Sequence, residues 1–139
     1  MKNQLSTLKA LSDRNRLRIV AALSIYEELC ACQITELLEV SGATASRHLS
    51  QLVNAEILKS RKQGRWVYYW LDKTRPQHQP IVDWLQAAFV TSREIKDDRS
   101  ALKKIITRDP EEICRNQRGD ACCPKKIRAK NKEKWKEAK

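Results

Sequence analysis

Apolar side chains in the first half of the chain recur every three or four positions. Leu5, Leu8 and Leu11 set one helical stripe, and Ser12 with Asp13 offers a cap for a second helix whose inner face carries Leu17, Val20 and Ala21. Ile34, Leu37 and Leu38 mark a third helix that stops around Val40, Ser41 and Gly42. A fourth starts at once, with Ala45, Leu49, Leu52 and Val53 along one side. Two helices joined by so tight a turn predict a helix-turn-helix unit. The period then changes. Aromatic and β-branched residues cluster in Trp66, Val67, Tyr68, Tyr69 and Trp70 after the turn signal Gln63-Gly64, which predicts a β-hairpin over residues 57–71. Beyond Pro80, apolar positions at spacings of three and four from Ile81 to Ile106 predict one long helix with apolar surface left for a partner.

Composition agrees with a helix-dominated chain. Its 139 residues are 41% hydrophobic and 32% charged, with 3 Gly and 4 Pro. That length suits one compact domain plus an appendage. The expected boundary lies at residue 108: residues 1–108 hold nearly all the large apolar side chains, and residues 109–139 form a cysteine-containing basic tail with little to bury, expected to be flexible. No stretch approaches the ~20 apolar residues of a membrane span, and residues 1–10 lack the apolar core of a signal peptide. A soluble, cytoplasmic protein without a membrane partner is expected. No paired nucleophile and base and no phosphate-cradling glycine loop is visible, so the chain does not read as an enzyme.

The net charge of +11 favours a polyanionic partner such as nucleic acid, with an anionic membrane surface left open on charge alone. The hairpin carries Lys59, Arg61, Lys62 and Arg65, with no acidic residue between Ile57 and Leu71. A helix-turn-helix followed by a basic hairpin predicts a winged helix-turn-helix, mainly α with a small β-hairpin. The second helix of the pair would enter the major groove and present Thr44, Ser46 and Arg47, with Arg47 offering a fork to guanine. Ser41 can reach a phosphate at the helix start, and the small Ala43 lets the backbone approach the bases. Arg61, Lys62 and Arg65 of the wing would lie along the neighbouring backbone. His48, beside Leu49, packs and orients the helix or touches DNA.

Five cysteines, an odd number without a secretion signal, argue for reduced thiols rather than a disulfide framework. Cys30 and Cys32 flank Ala31, whereas Cys114, Cys122 and Cys123 lie in the tail. Thiolates suit soft centres, and the two histidines leave little for a nitrogen-rich site. Small core residues are the alternative reading of the first pair. Two adjacent cysteines in a polar segment have no such explanation.

Three runs together resemble the ArsR-type family of metal-responsive bacterial repressors. Glu28-Leu29-Cys30-Ala31-Cys32 is similar to the family's metal box, Ser46-Arg47-His48-Leu49 to its reading-helix signature, and Arg61 to Tyr69 to its wing. The likeness runs from about Leu5 to Leu85. It implies a homodimeric repressor that holds operator DNA when metal-free and releases it on binding As(III) or Sb(III) through cysteine thiolates. Where arsenic-sensing members place a third cysteine, this chain has Thr35. Trivalent arsenic and antimony favour three thiolates, so ligand count puts Cys114, Cys122 and Cys123 slightly ahead of Cys30 and Cys32 as the sensing set, with a mixed site also open. Cd(II) or Zn(II) sensing, a thiol-redox repressor and a metal-storing protein are the alternatives. The dimer interface is expected on Leu5 and Leu8 of the first helix with Ile81, Leu85, Ala88 and Phe89 of the long one.

Overall fold

The computed structural model describes residues 1–118. Helices α1 (Lys2–Leu11) and α2 (Arg14–Ile25) open the chain, and Asp13 caps α2 by accepting the Arg16 N–H at 3.0 Å. Strand β1 (Leu29–Cys30) runs straight into α3 (Ala31–Leu38), which a short turn joins to α4 (Gly42–Asn54). That turn passes through Glu39 at φ 55°, a left-handed residue that lets α4 leave in a new direction. Strands β2 (Leu58–Gln63) and β3 (Trp66–Leu71) make the expected hairpin, with Gly64 at φ 64° in its tip. The core gathers Ile19, Val20, Leu29, Ile34, Leu49, Leu52, Leu58 and Tyr68, all within 2% of full burial. No helix among the described residues is long and apolar enough to cross a membrane.

Three features depart from the sequence pattern. The sheet has a third strand: the order is β1-β3-β2, all antiparallel, with Leu29 opposite Tyr69 and Cys30 opposite Tyr68. The expected long helix is two, α5 (Gln79–Thr91) after a 3₁₀ turn at Pro76–His78, and α6 (Arg93–Thr107). Ser92 separates them, its backbone extended and its hydroxyl accepting the Ile95 N–H at 3.3 Å as a new cap. Finally, the chain does not leave the fold at residue 108. Helix α7 (Pro110–Arg118) packs against α3, burying Ile113 completely and leaving Cys114 2% exposed. Cys122 and Cys123, with the rest of the basic tail, lie outside the described residues.

A bidentate ion pair holds α2, α3 and α6 together. Arg18 donates to both carboxylate oxygens of Asp98 at 2.8 and 2.9 Å and to the carbonyl of Leu37 at 3.1 Å, where α3 ends. Its hydrogen bond to Asp98 holds the guanidinium pKa above the ordinary arginine value against the opposing effect of burial.

Candidate nucleic-acid interface and thiol site

Helix α4 is amphipathic in the sense a reading helix requires. Ala45, Leu49 and Leu52 are buried, while Ala43, Ser46, Arg47, Ser50, Gln51 and Asn54 are exposed. Ser41 caps the helix: its hydroxyl oxygen accepts the Thr44 N–H at 3.2 Å and its O–H donates to the Thr44 hydroxyl at 2.9 Å. Both residues thus hold the first turn in place and leave the helix N-terminus open to a phosphate. His48 turns away from the exposed face. Its Nδ1 lies 3.4 Å from an Arg16 guanidinium nitrogen and 3.7 Å from Asp13, and Arg16 also donates to the Ala10 carbonyl at 2.6 Å. The imidazole therefore ties the reading helix to the α1–α2 corner.

In the wing, Lys62 and Arg65 are exposed at the hairpin end. Arg61 is placed otherwise: it pairs with Glu28 at 2.8 Å and lies 4.5 Å above the Tyr68 ring, so it holds the wing to the segment before Cys30.

Cys30 is where the wing meets the helix-turn-helix. It is the last residue of β1 and the N-cap of α3, and it is fully buried. Its sulfur accepts the backbone N–H of Gln33, and the Gln33 side chain returns the contact by accepting the Cys30 N–H at 3.2 Å. Cys32 is 5% exposed. Burial pushes the Cys30 thiol well above its ordinary pKa, and a hydrogen bond with the Cys32 sulfur raises it further. The two sulfurs are thus neighbours in a dry environment, buried as core residues are. Thr35 is 5% exposed and its hydroxyl donates to the Ala31 carbonyl at 2.7 Å. No group of three or more His, Cys, Asp or Glu side chains is gathered for a metal ion among the described residues.

Helix α7 brings a third cysteine into the same core. Cys114 is disulfide-bonded in this structure and belongs to one buried cluster with Cys30 and Cys32. Gln117, one turn further along α7, donates to the carbonyl of Cys32 and to the Glu36 carboxylate, both at 3.0 Å. Arg108, ahead of α7, pairs with the other Glu36 oxygen at 3.2 Å. The sequence contains these residues but no periodic signal that they meet α3.

His78 is 9% exposed, with its Nε2 3.3 Å from the Thr7 hydroxyl. Asp83 accepts from Gln79 at 2.6 Å. The expected interface residues divide: Leu5 and Leu8 are about half exposed and Ala88 is exposed, Ile81 and Phe89 are half-buried, and Leu85 lies in the protomer's own core. Trp84 and Val90, each 68% exposed, extend the open face of α5 and were not singled out by spacing.

A reading helix, a basic hairpin and a third strand behind it define a winged helix-turn-helix transcription regulator. Residues 13–60 match the family described as bacterial regulatory protein, arsR family. The chain is 44% identical over 87 residues to a cadmium resistance transcriptional regulatory protein CadC homolog of Staphylococcus aureus, covering 63% of this chain and 68% of that protein. It is 45% identical over 69 residues to the arsenic resistance transcriptional regulator ArsR1 of Pseudomonas putida, covering 50% of this chain and 54% of that protein, just over half its length. Among solved structures, HlyU from Vibrio cholerae superposes with a TM-score of 0.57 at 26% identity, covering 65% of this chain and 95% of that one. The chain belongs to the arsR family.

Proposed function

We propose that the protein is a dimeric repressor that holds operator DNA while its thiols are free and releases it when they close around trivalent arsenic or antimony. The observation that carries this reading is the place of Cys30. It is paired with Tyr68 of the wing through β1, caps α3, and shares its buried site with Cys32. The donor chemistry fits: two adjacent buried sulfurs are soft ligands in a low-dielectric setting that suits a thiophilic centre. Gathering these sulfurs for an ion removes the cap that Cys30 provides to α3 and draws on β1 at the same point. Since α3 packs on α4 and β1 is hydrogen-bonded to β3, both reading head and wing feel the change. Release then requires only that the ion favour the arrangement that fits DNA less well.

Cadmium is the second reading. The Staphylococcus aureus relative is named for cadmium resistance, and thiolates serve both ions. An operator selected from a random DNA pool, labelled for anisotropy and titrated with arsenite, antimonite, cadmium and peroxide, separates these readings. Release by arsenite or antimonite at concentrations where cadmium and peroxide leave the complex intact supports the proposal. Release by cadmium alone moves the assignment to the divalent ion, and release by peroxide that a dithiol reverses makes the protein a redox repressor.

A further inference from the structure

We infer that His48 is a positioning residue for DNA reading: its neutral imidazole, accepting from Arg16 through Nδ1, sets how α4 sits on the α1–α2 corner, and a proton taken from solvent undoes that hold. The inference deepens the operator-binding reading above and rests on it. Arg16 is fixed before it reaches the ring. Its Nε donates to the Ala10 carbonyl at 2.6 Å and one terminal nitrogen donates to the Lys9 carbonyl at 3.2 Å, so the guanidinium closes the last turn of α1, where carbonyls lack helical partners. The other terminal nitrogen lies 3.4 Å from His48 Nδ1. A guanidinium can only donate, so Nδ1 accepts and the ring carries its proton on Nε2. The rest of the anchorage is apolar and non-directional, through buried Ala45, Leu49 and Leu52. Among the described residues, no other α4 side chain makes a hydrogen bond or ion pair beyond the turn that caps the helix.

A proton on the ring changes its partner. Asp13 Oδ2 stands 3.7 Å from the same Nδ1 and already accepts the Arg16 backbone N–H that caps α2. Once protonated, Nδ1 meets the Arg16 N–H donor to donor and offers Asp13 a cation, so the contact that holds α4 is exchanged for one to the α2 cap. Arg47, the next residue, is exposed on the outer face, and a small turn of α4 about its axis moves its guanidinium off the base edge it has to meet. The other charged groups on the elements packed against α4 are turned elsewhere. On α2, Arg14 and Arg18 pair with Glu94 and Asp98; on α3, Glu36 holds Arg108; on β2, Lys59 leans to Asp72 and Arg61 to Glu28. Lys2 and Lys9 of α1, Glu39 at the end of α3 and Lys62 of β2 are exposed, and none of their side chains makes a polar contact with the ring.

The test compares wild type, His48→Asn and His48→Ala in the full chain, each checked for folding by its thermal transition. Asparagine keeps an acceptor near the Nδ1 position and takes up no proton, whereas alanine removes the acceptor. Anisotropy of a selected operator and of random-sequence DNA is followed from about pH 5.5 to 8, the range in which a histidine changes charge. The readout is the ratio of operator to random affinity, because added positive charge strengthens binding to any sequence and cancels in the ratio. His78 is common to all three proteins and cancels between them. The wild-type ratio is expected to fall about three- to tenfold on acidification, as for the loss of one hydrogen bond. His48→Asn should keep the high-pH wild-type ratio throughout, and His48→Ala should show the reduced ratio throughout. Should His48→Asn misfold, nitrogen-detected NMR of the wild-type imidazole decides: a proton on Nε2 and a bare Nδ1 are expected at the alkaline end, and a proton on Nδ1 there overturns the assignment. A flat wild-type ratio, a fall shared equally by His48→Asn, or an undiminished ratio in His48→Ala overturns it while leaving operator binding intact. A wild-type protein that never prefers operator to random DNA overturns the operator-binding reading as well.

Discussion

Arg47 stands exposed on the outer side of α4, between buried Ala45 and buried Leu49, where a guanidinium can reach a base edge without disturbing the core. Lys62 stands exposed on the wing. Arg47→Ala is expected to cost about 1 to 3 kcal/mol on the operator and to relax base preference, whereas Lys62→Ala should weaken all sequences alike and lower the salt slope by about one unit. Parallel titrations on operator and random DNA check this, and equal losses on both for Arg47→Ala would remove its reading role. The thiols make a different statement. Burial keeps Cys30 protonated beyond neutral pH. A divalent cation must then expel thiol protons into solvent, so cadmium affinity should fall about tenfold per displaced proton for each unit the pH drops, while arsenite, which turns those protons into water, should bind almost equally across about pH 6 to 8. Competition titrations at several pH values read both slopes, and a steep slope for arsenite would mean the thiols start as thiolates. Residue by residue, the sequence was informative about placement within one contiguous run: the buried cysteine pair, the exposed face of α4 and the basic hairpin. It placed Arg61 along the DNA backbone but held no sign of its pairing with Glu28, 33 residues away, which ties the wing to the segment before Cys30.

Elements were legible where one period ran between clear breaks. The helix-turn-helix pair and the hairpin have such limits. Strand β1 does not, since two residues cannot show alternation, and it exists because Leu29 and Cys30 pair with β3. The division of the predicted long helix at Ser92 was hidden for the opposite reason. The apolar spacing continues through the break, because α5 and α6 each turn a face to the same core and only the cap at Ser92 records the change of direction. Helix α7 has little apolar surface of its own and is held by Ile113, Cys114 and polar contacts to α3, which no local pattern announces. The tie between α2, α3 and α6 is testable at this scale. Asp98→Ala leaves the largely buried Arg18 guanidinium without its carboxylate, and the loss should approach the ~3 to 5 kcal/mol of a fully buried pair, reduced because both side chains retain some exposure. The midpoint of urea denaturation measures it, and an unchanged midpoint would mean that Arg18 finds an equal partner in Glu94, which stands 3.8 Å away.

For the whole molecule, Leu5 and Leu8 of α1 and Trp84 and Val90 of α5 are exposed apolar side chains, and a second copy is expected to cover them. Leu8→Glu with Trp84→Glu should give monomers by sedimentation whose operator affinity drops sharply, because one reading helix covers a single half-site. A persistent dimer would place the contact elsewhere. Leu85 is unsuited to the test, since a charge there would disrupt the protomer's own core. The exposed face of α4, the exposed apolar side chains of α1 and α5 and the buried thiols occupy different parts of one small fold, and in the proposed function the box at Cys30 is the junction through which sulfur chemistry would reach the DNA. Anisotropy of a selected operator, followed as arsenite is added to reduced wild type and to Cys30→Ser, Cys32→Ser protein, tests that claim most directly. The account predicts equal operator affinity before arsenite, release from wild type as arsenite reaches the protomer concentration, and no release from the variant. Release from the variant with the wild-type dose dependence would contradict it.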